Sequence, residues 1–277
     1  MPISTIQIIR TGQQPFDKVP YMVHPLARHW RERGLAVEVA HALPEPAGDA
    51  VLIVPHFDLT VRPASFAEPI ARSAHVLNRA VVDVSKRIIS SQLVSSPEQY
   101  DGPVLVKSNR NFGGIPESKV RTVGGASAAL RPPFMHWTNY TVYEHPGLVP
   151  PTVWNYPSLV VEKFLPEKED GLFCLRQYIF LGDSEIYTRA FSPKPIVKSH
   201  NAVRREIING PPPPQVREVR QRLGFDYGKF DFVIHEGKAI VFDVNPTPTY
   251  NRKSKAGSQE EMIAHLASGI RSFLEPA

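Results

Sequence analysis

Two apolar runs carrying acids, Phe230-Asp231-Phe232-Val233-Ile234 and Ala239-Ile240-Val241-Phe242-Asp243-Val244, flank the short turn His235-Glu236-Gly237-Lys238. Runs of this length and composition around a glycine-bearing turn predict an antiparallel strand pair. Side chains alternate along a strand with period two, so Asp243 and Asn245 share a face and a paired neighbour can bring Asp231 beside them. Carboxylates against an apolar sheet are costly to bury unless something positive is bound there. Hard oxygen donors of this kind suit magnesium, which usually leans on substrate phosphates. The plain alternative is a pair of acids on the solvated face of a hairpin.

The 277-residue chain has room for one large domain or two to three small ones. With 32 basic against 27 acidic residues and no dense basic block, a phosphate-bearing ligand is expected rather than nucleic acid. The lone cysteine, Cys174, excludes an internal disulfide and reads as a small core residue. No stretch is long and apolar enough to cross a membrane, and MPISTIQIIR lacks the apolar core of a targeting signal, so a cytoplasmic protein is expected.

The first third alternates strand and helix signals. STIQII, LAVEVA, AVLIVP and RAVVDV (79–84) read as strands, with helices over 21–33 and 66–78, predicting a small parallel α/β unit. Such sheets bind ligands at the carboxyl ends of their strands, where His56 and Asp58 stand. Residues 85–95 then read as helix, GPVLVK as strand, 121–157 as a Pro- and aromatic-rich insertion, and SLVVEKFL as strand. A charged turn (166–171) leads to LFCLRQYIFL and SEIYTRAF, and the helix QVREVRQRLG precedes the opening strand pair. A last helix is expected over 258–274.

Lys107 at a strand end precedes a loop holding Phe112, Gly113 and Gly114, a plausible phosphate cradle because glycine lets backbone N–H groups approach oxygen closely. It is not the Walker pattern, and no GxGxxG follows the first strand. Taken singly, Lys86 reads as a solvated lysine, and Glu162-Lys163-Phe164-Leu165 as an ordinary strand end.

Taken in order, PVLVKSNRNFGG, VVEKFL and GKFDFVIHEGKAIVFDVNP resemble the ATP-grasp family, nearest to its D-alanine–D-alanine ligase and glutathione synthetase branch. The likeness spans about 85–250. It implies an α/β N-terminal domain (1–83) followed by an α+β ATP-grasp domain, whose two α+β subdomains (84–165, with the 121–157 insertion, and 166–277) hold the nucleotide between them. By that resemblance Lys86 and Lys107 contact the α- and β-phosphates, and Phe112, Gly113 and Gly114 close over the β- and γ-phosphates. Glu162, Lys163, Phe164 and Leu165 surround adenine, and Glu169 or Asp170 meets the ribose. Asp231, Asp243 and Asn245 hold Mg2+, with Mn2+ as a substitute. Lys229 stands where the family often has an arginine facing the transferred phosphate, and Lys198 or Arg189 reaches the γ-phosphate. Arg176, in an apolar strand, faces either the site or a partner acid.

The resemblance implies an ATP-dependent carboxylate–amine ligase acting through an acylphosphate, with small-molecule carboxylate and amine substrates and a homodimer as the usual assembly. A kinase using the same nucleotide apparatus, or a binding protein without turnover, are the alternatives. Two departures bear on substrate: Asp243 replaces the commoner glutamate, and Pro246-Thr247-Pro248-Thr249 replaces the tail that meets the substrate in relatives.

Overall fold

Ile and Thr dominate the first strand, β1 (Thr5–Ile9), which pairs in parallel with β2 (Ala36–Ala40) and β3 (Val51–Pro55). The computed structural model of the chain describes residues 2–11, 16–41, 48–119, 140–250 and 257–274. Helix α1 (Val23–Glu32) connects β1 to β2. It buries Val23, Leu26, Ala27 and Trp30, a single stripe at helical spacing, and ends before Gly34, whose φ of 86° suits the left-handed stop.

The alternation was expected to continue as a helix over 66–78 and a strand over 79–84. Instead α2 (Ala67–Arg72) stops at Ser73, and His75–Val76 form β4, parallel to β3. The sheet order is β2-β1-β3-β4. The 79–84 run makes only an isolated bridge, Val61 to Asp83, and its Val81 and Val84 pack against the large sheet. Its apolar side chains are spent on a core contact, so no strand forms.

The predicted 85–95 helix is likewise shorter. Helix α3 (Lys86–Ile89) ends where the Ser90 hydroxyl accepts from the Gln92 N–H at 3.1 Å, and Leu93–Val94 become β5. Strands β6 (Val104–Ser108), β7 (Thr141–Tyr143) and β8 (Leu159–Lys163) complete an antiparallel sheet of order β5-β8-β6-β7. After β6 come a tight turn over Asn111–Gly114 and α4 (Ile115–Lys119). Of the expected insertion, 121–139 with Trp137 lie outside the described residues. The remainder supplies β7 and α5 (Pro151–Trp154), whose Val153 enters the small sheet's core.

The third sheet is antiparallel, ordered β12-β11-β10-β13-β14, with β9 (Glu167–Glu169) on β10. Its long strands are β10 (Leu172–Leu181), β11 (Ser184–Ser192), β12 (Arg204–Ile207), β13 (Tyr227–His235) and β14 (Lys238–Asn245). Cys174 is buried in β10, and burial pushes its thiol up to about 12, as a core residue would show. Glu236 (φ 50°) and Gly237 (φ 75°) make the tight β13–β14 turn. Helix α6 (Pro214–Leu223) covers one face of this sheet through Val216.

The expected 258–274 helix is two, α7 (Gly257–Ser268) and α8 (Arg271–Leu274), broken at Gly269. Through Ile263, Leu266 and Ala267, α7 joins one core with α1, the N-terminal sheet and residues Ile179, Leu181 and Ile186 of the large sheet.

Candidate nucleotide and metal cleft

A cleft of about 330 Å³ is lined by residues from all three sheets and their loops, among them Tyr21, Asp58, Lys86, Asn111, Phe112, Tyr140, Lys198, Lys229, Asp243 and Asn245. Strand register explains the acidic wall. Asp231 pairs directly with Asp243, and Lys229 with Asn245, so all four project from one face. Phe242 is the extra residue of a β-bulge, since Val241 pairs with Phe232 and Asp243 with Asp231. The bulge lets Val241 and Val244 both enter the core behind the sheet while Asp243 and Asn245 face the cleft.

Each carboxylate meets a cation. The Lys86 ammonium, buried at the start of α3, donates to Asp243 Oδ1. Lys229 donates to Asp231 at 3.2 Å, and Gln177 Nε2 donates to the same carboxylate at 2.9 Å. Lys107 Nζ lies 2.6 Å from Glu162 Oε2, both side chains fully enclosed, and donates to the carbonyl of the bulged Phe242 at 3.0 Å. Lys107 pairs with Val160, so Glu162 is its diagonal neighbour on β8. Lys198 places its ammonium 4.2 Å from the centre of the Tyr140 ring.

The electrostatics follow from burial against charge. Burial alone would raise the Asp243 carboxyl, but Lys86, Lys107 and Lys229 outweigh it and hold the group below the usual carboxylate range. Burial lowers the Lys198 ammonium, assisted by Lys107 and Lys229 and opposed by Asp243 and Asp231. Burial, then the charges of Asp243, Glu162 and Asp231, raise the Tyr140 phenol. Around Asp243 stand four lysines (86, 107, 198 and 229) against three carboxylates, an excess suited to a polyanion.

Among the described residues no group of three or more His, Cys, Asp or Glu is placed to hold a metal. The set on the cleft wall is instead two carboxylates and a carboxamide, hard oxygens whose negative charge is met here by Lys86 and Lys229, and it fits a magnesium ion. The Asn245 side-chain oxygen accepts from the Thr247 N–H at 2.8 Å, which fixes the start of the Pro-Thr-Pro-Thr tail.

The glycine turn also lines this cleft. Phe112 is 65% exposed and held at φ 44°, with Gly113 at 66° and Gly114 at 76°, a run in the left-handed region that the two glycines adopt without strain.

Other sequence-predicted residues lie elsewhere. Arg176 is a correction. It pairs with Phe232 on the core face, opposite to that of Asp231, and is bound by Glu167 (2.6 Å) and the Tyr187 hydroxyl. It is a structural ion pair. Arg189 is held by Glu169 (2.6 Å) and Glu206 (2.7 Å). Asp170 sits in an exposed turn at φ 52°. Lys163 rests over the Tyr100 ring at 4.9 Å, and the Phe164 N–H donates to Pro103 O at 2.8 Å. Leu165 is half-buried. His56 is fully enclosed between Phe16 and Tyr21, whereas Asp58 reaches the cleft.

Several lining residues carried no sequence signal. Tyr21 donates to Asp58 at 2.6 Å, and Thr247 Oγ1 donates to the same carboxylate at 3.0 Å. Tyr140 lies in a segment without periodicity, so nothing in the sequence distinguishes it from its aromatic neighbours.

No family model matches the sequence, and no curated protein matches it. Solved structures do match. A RimK domain ATP-grasp protein from Sphaerobacter thermophilus is 14% identical with a TM-score of 0.52, covering 96% of this chain and 99% of its own. The ATP-grasp ligase PsnB, complexed with minimal precursor, is 12% identical with a TM-score of 0.54 over the same shares. The macrocyclase MdnC from Microcystis aeruginosa, bound with precursor peptide MdnA, is 10% identical with a TM-score of 0.50, covering 95% of this chain and 99% of its own. At such identities the likeness is one of architecture, and by it the chain has the fold of the ATP-grasp superfamily.

Proposed function

We propose that the protein is an ATP-dependent carboxylate–amine ligase, with the nucleotide lying between the small and large sheets. The observation that carries this is the convergence of Asp231, Asp243 and Asn245 with Lys86, Lys107, Lys198 and Lys229 in one cleft beneath a glycine turn. Phosphoryl transfer needs little covalent chemistry from a protein and depends on positioning and charge neutralisation, which this arrangement supplies.

Lys86 and Lys107 are assigned to the α- and β-phosphates, Lys198 and Lys229 to the transferred phosphate, and the Phe112–Gly114 turn to the β- and γ-phosphates. The Glu162–Leu165 strand end is assigned to adenine, and Glu169 or Asp170 to the ribose. Asp231, Asp243 and Asn245 would hold magnesium or manganese, which when bound neutralises phosphate charge. The γ-phosphoryl group passes to a substrate carboxylate, ADP departs, and an amine displaces phosphate from the acylphosphate to leave an amide. The cleft must exclude water while the acylphosphate lives. PsnB and MdnC are described with precursor or precursor peptide bound, which makes a peptide carboxylate one substrate class to test alongside amino acids.

A screen of carboxylate and amine pairs for ADP release, with mass detection of the product, tests the reading. Hydroxylamine should trap the activated acid, and Asp243→Asn should lower ADP release by about 100-fold or more. Failure of the purified protein to bind Mg-ATP would overturn it.

A further inference from the structure

The loop after β3 touches both halves of the cleft. Asp58, held at φ 46°, accepts from Tyr21 and from Thr247, the residue that caps Asn245. A non-glycine residue persists in that backbone region only where its surroundings fix it. Two residues on, Thr60 is buried and spends every polar group it has. Its N–H donates to Glu117 Oε1 at 2.8 Å, and its hydroxyl donates to the same oxygen. That hydroxyl also accepts from the Asn111 N–H at 2.9 Å, and its carbonyl accepts from the Val84 N–H at 2.9 Å, two residues before Lys86.

One hydroxyl thus serves as donor to α4 and acceptor for the first residue of the glycine turn. Among the described residues the other Glu117 oxygen is buried without a hydrogen-bond partner, and Thr60 supplies both hydrogen bonds that compensate this carboxylate there. The turn itself has three consecutive residues at positive φ and an exposed Phe112.

We infer that Thr60 is a positioning residue: with Glu117 it fixes the glycine turn from the N-terminal sheet and so sets nucleotide affinity, although neither residue lines the cleft. The nucleotide role of the turn rests on the ligase reading above; the brace itself does not.

The test compares Thr60→Val, whose side chain has neither donor nor acceptor, with Thr60→Ser, which has both, and with Glu117→Leu, which has no acceptor for the Thr60 bonds. In nucleotide-free protein, amide exchange of the 108–117 segment should quicken at least tenfold in Thr60→Val and return to the wild-type rate in Thr60→Ser. The KM for ATP should rise about tenfold in Thr60→Val with kcat changed less than threefold, and Thr60→Ser should restore it. Unchanged exchange, or faster exchange with unchanged KM and a lowered melting temperature, overturns the inference. Should Thr60→Val not fold, Glu117→Leu, which removes the acceptor of both Thr60 bonds, carries the same two readouts, with at least a threefold rise in KM expected. If wild-type protein binds no Mg-ATP, the ligase reading falls, and the exchange measurement alone judges the brace.

Discussion

His56 illustrates how a residue's chemistry is decided by its surroundings. Its position at the carboxyl end of β3 marks a ligand-binding edge, yet the ring lies fully enclosed against Phe16 and Tyr21, with neither nitrogen hydrogen-bonded among the described residues. Burial, then the nearby His24 and Arg10, lower its pKa from 6.5 to about 3. The folded state therefore stays neutral while the unfolded chain takes up a proton below about pH 6.5, and stability falls as pH drops through that window toward 3. The slope is about 1.4 kcal/mol per pH unit from this one group. Urea unfolding at pH 7 and pH 5 should show wild type losing about 2 kcal/mol more than His56→Leu. Equal losses in the two proteins would refute this. That Asp243 and Asn245 share the cleft face was legible because they are two apart in one strand. Arg176 was not: its face depends on the β10–β13 register, and a one-residue shift there exchanges it with Gln177, which does meet Asp231.

Elements show the same division. The β13–β14 hairpin was readable from its apolar runs and turn, but the Phe242 bulge that frees Asp243 from the core face was not. Nor was the end of α7. A Cβ on Gly269 would stand 1.8 Å from the Leu181 carbonyl oxygen, inside the β10–β11 corner, where a backbone atom cannot yield. Gly269→Ala should therefore cost about 3 kcal/mol or more, as overpacking against rigid backbone does. Denaturant melts would measure it, and a loss under 1 kcal/mol would show that α7 and α8 shift freely. The helix pattern over 258–274 ran on through Gly269 because helical periodicity does not record what the helix end packs against.

For the molecule as a whole, the sequence suggested a division at 83 and 165, and the strands of the three sheets run over 5–76, 93–163 and 167–245. The cores do not follow the same lines. Trp30 of α1 donates its indole N–H to Ala267 O at 3.1 Å, and the cluster around it joins the N-terminal sheet to β10, β11 and α7. Asn78 clasps the start of β13: its side chain bonds the Asp226 and Tyr227 backbone, and its N–H donates to the Asp226 carboxylate. The N-terminal sheet and the large sheet should thus unfold together. In a chain with Trp137 and Trp154 replaced by Phe, Trp30 fluorescence and far-UV circular dichroism should give coincident denaturant transitions. An earlier fluorescence transition would mean that the N-terminal unit melts independently.

What the sequence determined by itself was local: three parallel strands of the first third, the long antiparallel strands, and the hairpin that puts Asp243 and Asn245 on one face. Each follows from side-chain periodicity, turn residues and the cost of burying charge, which neighbouring residues in the chain already express. Tertiary structure alone decided which charges meet. Lys86 reaches Asp243 across 157 positions, Lys107 reaches Glu162 on another strand, and Thr60 holds Glu117. Such contacts depend on register and on how sheets pack, and no local pattern in one sequence records them.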